Sequence, residues 1–431
     1  MNKSKLFPIL LFAYVLSLAF QDFMRFSAVF RKVQLPELLF LGLVATFPWN
    51  YLKQYCIERT DRVLMSVLSI YWSTNVISSL LSGKISSIVD AGARLYLIFL
   101  FGMAVLYFAQ LSKIELRRNV IIASMTLGCL LALTGITGTF SSLAGFPSIM
   151  ADESLNYPYL GTVFRAQGFT HTPAMMVSIF SIIAIVAIAE ADVWISKKTR
   201  IFIFALMLFT TLLTLSRSMV LVFWGVGLLV YIQKKGFSSK MFTFSAVITA
   251  LIMTIGTHFI FISKDDPKLP SLLKSQFISN RILFEQGDFQ VLETCYLSMK
   301  YAALVMASEK PLFGIGTGNF VNGINHLKTT GQYPQKLPSF VAHSSYLSTL
   351  AENGLFATLA LLAFLGLLWQ RIRKFENVKT DNFATALWIC MTVVFIENIA
   401  LDTMNFRHYW LLYALVWAYP KISKQDEVLN A

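Results

Sequence analysis

Five arginines occupy segments that join apolar stretches of the chain, where their side chains could bind a charged substrate. They are Arg94, Arg165, Arg217, Arg281 and Arg407. A guanidinium stays charged and pairs bidentately with phosphate oxygens. Together at membrane depth, the five would suit a lipid-linked pyrophosphate. The alternative is that each arginine anchors a helix end at lipid headgroups. That alternative is weakest for Arg217, which interrupts a nearly continuous apolar stretch.

His343 is the candidate for proton transfer. It stands just before a predicted helix, in Val-Ala-His343-Ser-Ser-Tyr346. The positive end of a helix dipole disfavours an imidazolium, so the ring would stay neutral and could accept a proton from a hydroxyl. The alternative is that His343 caps its helix or packs against Tyr346. His171 lies in another external segment and could assist.

Three carboxylates fall in or near apolar stretches: Glu352, Glu397 and Asp402. Glu352 follows His343 by nine residues, about 13 Å along a helix, which is too far for direct pairing. We expect each carboxylate to pair with an arginine. The external segments contain no Asp-x-Asp, and the four cysteines show no metal spacing. The sequence therefore predicts no metal site and no cofactor.

The composition places these residues in a membrane. Of 431 residues, 56% are hydrophobic and 14% are charged, whereas soluble domains carry about 25% charged residues. A soluble enzyme, a disordered chain and a nucleic-acid-binding domain are excluded. We predict an all-α polytopic membrane protein with about twelve transmembrane helices, since each needs roughly 20 apolar residues. They lie near 6–20, 35–49, 63–81, 95–109, 120–138, 173–189, 201–215, 219–232, 241–261, 346–369, 383–399 and 409–418.

Lysine and arginine set the predicted orientation. With a cytoplasmic N-terminus, the cytoplasmic segments hold 20 of the 36 basic residues. The short external loops hold 8, including Arg25, Arg31 and Lys32, and the segment 262–342 holds the other 8. Long loops are exempt from the positive-inside rule. Both termini are therefore predicted to be cytoplasmic, and 262–342 external.

The chain divides into four predicted regions. Residues 1–261 carry spans one to nine with an external loop at 139–172, 262–342 form a large external loop, 343–420 carry the last three spans, and 421–431 form a cytoplasmic tail. Within the large loop, apolar residues from Phe289 to Met306 recur every three or four positions, which predicts an amphipathic helix.

Two sequence blocks resemble the bacterial O-antigen ligase and O-antigen polymerase superfamily. The block His343-Ser-Ser-Tyr-Leu-Ser-Thr-Leu-Ala-Glu352-Asn-Gly354-Leu is similar to the family's His-(Asn/Ser)-x-Tyr-Leu…Glu-x-Gly block. Upstream, Lys310-Pro-Leu-Phe-Gly-Ile-Gly-Thr-Gly-Asn319-Phe is similar to its Pro-Leu-x-Gly-x-Gly-x-x-Asn turn. Smaller matches are Leu215-Ser-Arg-Ser218 and Arg165-Ala-Gln-Gly-Phe-Thr-His171. The layout of about twelve spans with a long loop between the ninth and tenth also resembles that family.

The resemblance implies a metal-independent, inverting glycosyltransferase without a cofactor, on a type C glycosyltransferase-like helical scaffold in the bacterial inner membrane. The donor would be a glycan on undecaprenyl pyrophosphate, used on the periplasmic face. His343 matches the catalytic base. Residues that match donor-binding positions are Arg94, Arg165, Arg217 and Arg281; supporting candidates are Asp402, Arg407, Glu352, Tyr346 and His171.

Three activities stay open. An O-antigen ligase transfers the glycan to a lipid A core in lipopolysaccharide biosynthesis, and the single arginine of Ser216-Arg217-Ser218 favours it slightly. An O-antigen or exopolysaccharide polymerase joins the glycan to another lipid-linked repeat. A membrane transporter would need paired broken helices in two repeated halves, and we see no such repeat in the sequence.

Overall fold

The computed structural model describes residues 3–23, 34–146, 148–157, 161–236, 238–267, 269–274, 277–375 and 381–430. The residues Arg25, Arg31 and Lys32, which entered the predicted orientation, lie outside this part of the chain.

Up to residue 258, the described chain consists of helices with one hairpin between two groups of them. Its helices are α1 (Lys3–Ser17, continued by a 3₁₀ turn at Leu18–Phe20), α2 (Leu35–Thr46), α3 (Asn50–Gln54), α4 (Arg59–Leu81), α5 (Ile85–Phe108) and α6 (Lys113–Leu143). The strands β1 (Ala151–Tyr157) and β2 (Gly161–Ala166) pair antiparallel. Four helices follow: α7 (Pro173–Trp194), α8 (Lys197–Leu213), α9 (Met219–Lys235) and α10 (Ser239–His258).

The chain continues with a small module of strands and short helices between residues 259 and 329, in the segment predicted to be external. It contains β3 (Phe259–Ser263), α11 (Leu269–Lys274), β4 (Ile278–Gln286), β5 (Phe289–Thr294), α12 (Cys295–Glu309) and α13 (Phe320–Thr329). Three long helices complete the chain: α14 (Ser345–Arg373), α15 (Asn382–Ala400) and α16 (Arg407–Asn430).

Polar residues mark where several helices begin. Ser112 accepts a hydrogen bond from the Glu115 amide while the Glu115 carboxylate accepts one from the Ser112 amide, a capping box that starts α6. Ser344 accepts from the Leu347 amide at the start of α14, and Asp381 caps α15. These side chains satisfy amides that the first helical turn leaves without a partner.

Seven helices within the described residues are long and apolar enough to cross a membrane: α4, α5, α6, α7, α10, α14 and α15. Helices α1 and α2 are shorter apolar helices, and α8, α9 and α16 cover the three other predicted spans. A helical polytopic membrane protein is thereby confirmed in outline, while the number of twelve spans stays a prediction.

Two small sheets depart from the all-helical prediction. One is the β1–β2 hairpin, and the other has the antiparallel strand order β3-β5-β4. The predicted amphipathic helix from Phe289 is wrong at its start, because Phe289–Thr294 is strand β5 and the helix begins at Cys295. Pairing of β5 with strands on both sides satisfies its backbone, which the local spacing of apolar residues does not reveal.

The helices differ in how far they are enclosed. In the most apolar 18 residues of α15, 89% of the stretch is buried inside the protein, whereas in the corresponding stretch of α10 only 28% is buried. Helix α15 therefore forms the centre of the bundle, packed against α7, α14, α9 and α10. Helix α10 lies at the periphery, where most of its apolar side chains are exposed toward the lipid.

Helix α14 is interrupted at Gly354, where the glycine-rich turn 310–319 docks. Gly354 has φ 78° and ψ −173°, a conformation that favours glycine. The Leu355 amide donates a 2.8 Å hydrogen bond to the Pro311 carbonyl. A Cβ at position 354 would overlap the Leu312 carbonyl. The two sequence blocks that carry the family resemblance therefore pack directly against each other.

Candidate active site

A cavity of about 280 Å³ lies where the hairpin, the α8–α9 turn, the small module at 259–329 and the start of α14 meet. Its lining includes His343, Arg217, Arg165, His171 and Tyr296. Four of the predicted site residues are thus brought together, although they are spread over nearly 180 positions of the sequence. Arg165 and Arg217 bring two guanidinium groups to the cavity, and Asp152 brings one carboxylate.

Backbone strain coincides with this cavity. Among the described residues, the non-glycine residues with positive φ are Leu215 and His343, each at 47°. Both line the cavity. Such conformations are disfavoured for side chains with a Cβ and accumulate at functional sites, where the surrounding structure holds them in place.

His343 precedes the cap of α14, since Ser344 rather than His343 accepts the capping hydrogen bond. Its ring meets the Tyr296 ring edge to face, with centroids 4.7 Å apart. Burial lowers the pKa of His343 to about 4, and the positive charge of Lys300 contributes to the shift. The ring is therefore neutral at pH 7, as predicted, but burial rather than the helix dipole is the main cause.

Arg217 lies in the turn between α8 and α9. One guanidinium nitrogen, Nη1, donates a 3.0 Å hydrogen bond to the Thr257 carbonyl at the end of α10. The guanidinium carbon lies 5.8 Å from the centroid of the Tyr296 ring, within cation–π range. Tyr296 therefore contacts both Arg217 and His343 and fixes their relative placement.

Arg165 enters from strand β2. Its Nε donates to the Thr214 carbonyl at 2.9 Å, and its Nη1 lies 3.2 Å from the Asp152 carboxylate across the hairpin. Asp152 and Arg165 are register partners in β1 and β2. His171 lines the same cavity, and its Nδ1 lies 3.4 Å from the Asp22 carboxylate. The hairpin thus presents one oriented guanidinium to the cavity.

Arg94 and Glu352 lie elsewhere. Arg94 was predicted to lie just before the span near 95–109, which is wrong, because α5 begins at Ile85 and Arg94 is buried within it. Its Nη2 lies 3.3 Å from the Glu352 carboxylate, and its Nη1 donates to Asn353 at 2.8 Å and to Asn75. The expected pairing of Glu352 with an arginine is confirmed. This cluster holds α4, α5 and α14 together beneath the glycine-rich turn.

The other two carboxylates have hydroxyl partners. Asp402 accepts a 2.8 Å hydrogen bond from Ser348. Glu397 accepts hydrogen bonds from Ser178 and Tyr409. In both cases the hydrogen-bond donor is a neutral hydroxyl group rather than the arginine that the sequence led us to expect.

The remaining predicted residues lie outside the lining of this cavity. Arg407 pairs with Glu37 and donates to Gln21 at 2.7 Å. Tyr346 donates to the Phe395 carbonyl at 3.2 Å, so the aromatic neighbour of His343 is Tyr296 and not Tyr346. Arg281 is an exposed residue of β4.

Two residues of α12 that contribute to the site, Tyr296 and Lys300, were not predicted from the sequence. Tyr296 appeared only as one member of an apolar stripe. Lys300 donates a 2.6 Å hydrogen bond to the Ile399 carbonyl, and burial lowers its pKa to about 8. A lysine one turn after a tyrosine in an otherwise apolar helix was the available signal, since buried lysines rarely lack a role. Within the described ranges no group of three or more His, Cys, Asp or Glu side chains could hold a metal ion.

Comparison with known proteins gives one family. A search of the curated proteins finds no matching sequence. Residues 202–362 match the family model described as O-antigen ligase. The matched segment runs from α8 into α14 and includes Arg217, Tyr296, His343 and Glu352. This match covers 161 of the 431 residues and supports the resemblance to the O-antigen ligase and polymerase superfamily that the motifs predicted.

Proposed function

We propose that the protein is a membrane glycosyltransferase that moves a glycan from undecaprenyl pyrophosphate to an acceptor hydroxyl, most specifically as an O-antigen ligase. The observation that carries the proposal is the shared cavity of His343, Arg217 and Arg165. A neutral imidazole and two guanidinium groups are the parts that such a transfer needs, a base for the acceptor and positive charge for the leaving group.

His343 is the proposed base. Its neutral ring takes the proton of the acceptor hydroxyl as the oxygen forms a bond to the anomeric carbon of the donor. The pKa of about 4 makes the free ring a weak base. The negative charges of a bound pyrophosphate would raise that pKa and strengthen the base when the donor is in place.

Arg217 and Arg165 are the proposed donor-binding residues with the best geometric support. As the bond between the anomeric carbon and the phosphate oxygen breaks, the electron pair leaves with the pyrophosphate, and the guanidinium groups stabilise its growing charge. This role makes the reaction metal-independent. Attack opposite the leaving group inverts the anomeric centre. Arg94 and Arg281 stay donor-binding candidates by resemblance alone.

The proposed location is the bacterial inner membrane, with both termini in the cytoplasm and the cavity on the periplasmic side. The lysine and arginine distribution supports this orientation. The acceptor is proposed to be the lipid A core. A polymerase would use a second lipid-linked repeat in the same cavity, and His343 and the arginines would act in the same way.

The test uses purified wild-type protein, a His343→Ala variant and a His326→Ala control. His326 is an exposed residue of α13, outside the lining of the cavity. Each protein receives undecaprenyl-pyrophosphate oligosaccharide in EDTA, with and without lipid A core, and products are resolved on a gel.

A single shift that requires the lipid A core, kept by His326→Ala and lost by His343→Ala, is the result expected of a ligase. A ladder formed from donor alone would identify a polymerase. If wild-type protein leaves authentic donor intact in both reactions, the glycosyltransferase proposal is wrong and transport of the lipid-linked glycan becomes the leading hypothesis.

A further inference from the structure

The β3-β5-β4 sheet presents three phenylalanines on one face, which we call the aromatic face: Phe261, Phe284 and Phe289. Phe261 pairs with Val291, which pairs with Phe284, so these side chains share a face. Phe289 precedes Val291 by two residues and points the same way. The three phenylalanines are 49%, 52% and 44% exposed.

The opposite face of the sheet is already covered. Ile260, Ile262 and Leu292 are buried there, and Leu269 and Leu273 of α11 pack against them. The sheet therefore has a core of its own on one side. The exposed aromatic face is a second apolar surface, not the unfilled interior of the module.

The sheet follows directly on α10, the least buried of the candidate membrane spans among the described residues. That helix exposes a stripe of apolar side chains at spacings of three to four residues: Phe244, Val247, Leu251 and Ile255. No residue separates α10 from β3, since the helix ends at His258 and the strand begins at Phe259. Phe261 is therefore only three residues from the end of this candidate membrane span.

We propose that the aromatic face lies in the interfacial layer of the same membrane, so that its partner is the phospholipid surface at which α10 ends. Phenylalanine rings favour the boundary between acyl chains and headgroups. The ion pair of Lys264 with Glu285 and the exposed Arg281 lie on the same sheet. Charged groups there would meet the polar headgroups while the rings enter the apolar layer.

The anchored sheet would fix the wall of the cavity described above. Strand β5 runs without a break into α12, whose second residue is Tyr296. Holding the sheet in the lipid surface keeps Tyr296 at headgroup depth. The lipid contact itself does not depend on the proposed reaction.

The test compares two adjacent residues of β4 that point to opposite sides. Phe284→Cys and, as the matched control, Glu285→Cys are each labelled with bimane in a background where Cys56 and Cys129 are serine. Cys295 and Cys390 are buried and are left in place. The proteins are reconstituted into phosphatidylcholine vesicles with or without phosphatidylcholine brominated near the headgroup end of its acyl chains.

Quenching by brominated lipid should be at least about twofold stronger at position 284 than at 285, because neighbouring residues of a strand point to opposite sides. Phe289→Cys serves as a second reporter, and gel filtration confirms that each variant is folded. Equal quenching at 284 and 285, or none at 284 and 289, overturns the proposal. A label that is protected from water but whose emission is unchanged by brominated lipid would indicate a protein partner, and this result also overturns the proposal.

Discussion

The Arg94 guanidinium lies 3.3 Å from the Glu352 carboxylate, at a position where only 6% and 5% of the two side chains are exposed. The phenol oxygen of Tyr71 and the amide oxygens of Asn75 and Asn353 also accept from Arg94. The ion pair therefore joins α4, α5 and α14 inside the bundle. A charge in this setting is stable only with its partner.

We expect Arg94→Ala to destabilise the protein by about 3–5 kcal/mol, because it leaves the Glu352 carboxylate buried without its counter-charge. Denaturant unfolding in detergent measures the loss. The double variant Arg94→Met with Glu352→Gln should recover part of it, since neither side chain is then an unpaired charge. A fully stable but inactive Arg94→Ala protein would contradict this and favour the donor-binding role.

Helix α5 shows why Arg94 was misplaced on the sequence. Ser87, Asp90 and Arg94 follow one another at spacings of three and four, so they lie on one side of the helix. Ser87 donates to the Thr317 carbonyl, and Arg94 reaches Glu352. These polar residues lower the mean hydropathy of the first turns of α5, so this part of the helix resembles a loop in the sequence. The partners come from residues more than 200 positions away, which local patterns do not encode.

Gly354→Ala should prevent normal folding. A Cβ at this position would overlap the Leu312 carbonyl, and φ of 78° is strained for alanine. We expect a loss of about 3 kcal/mol or more, measured as folded yield and melting temperature. Gly366→Ala in the same helix is the matched control, because a Cβ there meets nothing within 4 Å. Equal effects of the two substitutions would contradict the docking of the turn.

Lys300 should control the acid limb of the pH–rate profile. Its positive charge disfavours the His343 imidazolium, so removing the charge in Lys300→Met raises the His343 pKa above about 4, although burial, the larger cause, still holds it below its usual value. Activity needs the neutral ring, and as the pH is lowered kcat/KM of Lys300→Met should therefore begin to fall at a higher pH than that of wild type. Lys300→Arg keeps the charge and should keep the wild-type limb. An unshifted limb in Lys300→Met would rule out this electrostatic role.

Tyr296 should act through its ring. Tyr296→Ala removes the surface that Arg217 and His343 share, and we expect kcat/KM to fall by roughly three- to thirtyfold, the range of one cation–π contact. Tyr296→Phe retains the ring and should stay within about twofold of wild type. Steady-state kinetics with lipid-linked donor makes the comparison. If Tyr296→Phe is as impaired as Tyr296→Ala, the hydroxyl rather than the ring is needed.

From the sequence, the charged and titratable residues that line the cavity could be predicted better than the aromatic residue beside them. His343, Arg217 and Arg165 could be singled out because a titratable or charged residue in an apolar chain is costly and therefore informative. Tyr296 could not, since an aromatic residue in an apolar stripe carries no such cost. Its role depends on β5, whose register with β3 and β4 places the start of α12 beside the cavity.

The docking of the glycine-rich turn on α4, α5 and α14 also sets an order for biogenesis. Arg94 leaves the ribosome 258 residues before Glu352, and Ser79 precedes its partner Thr317 by 238. A nascent α5 that enters the bilayer alone carries an uncompensated guanidinium, at a cost of roughly 2.5–3.5 kcal/mol. Glu352 supplies its counter-charge only once α14 is inserted. A chain that stalls before residue 352 would present this incomplete bundle to membrane quality control.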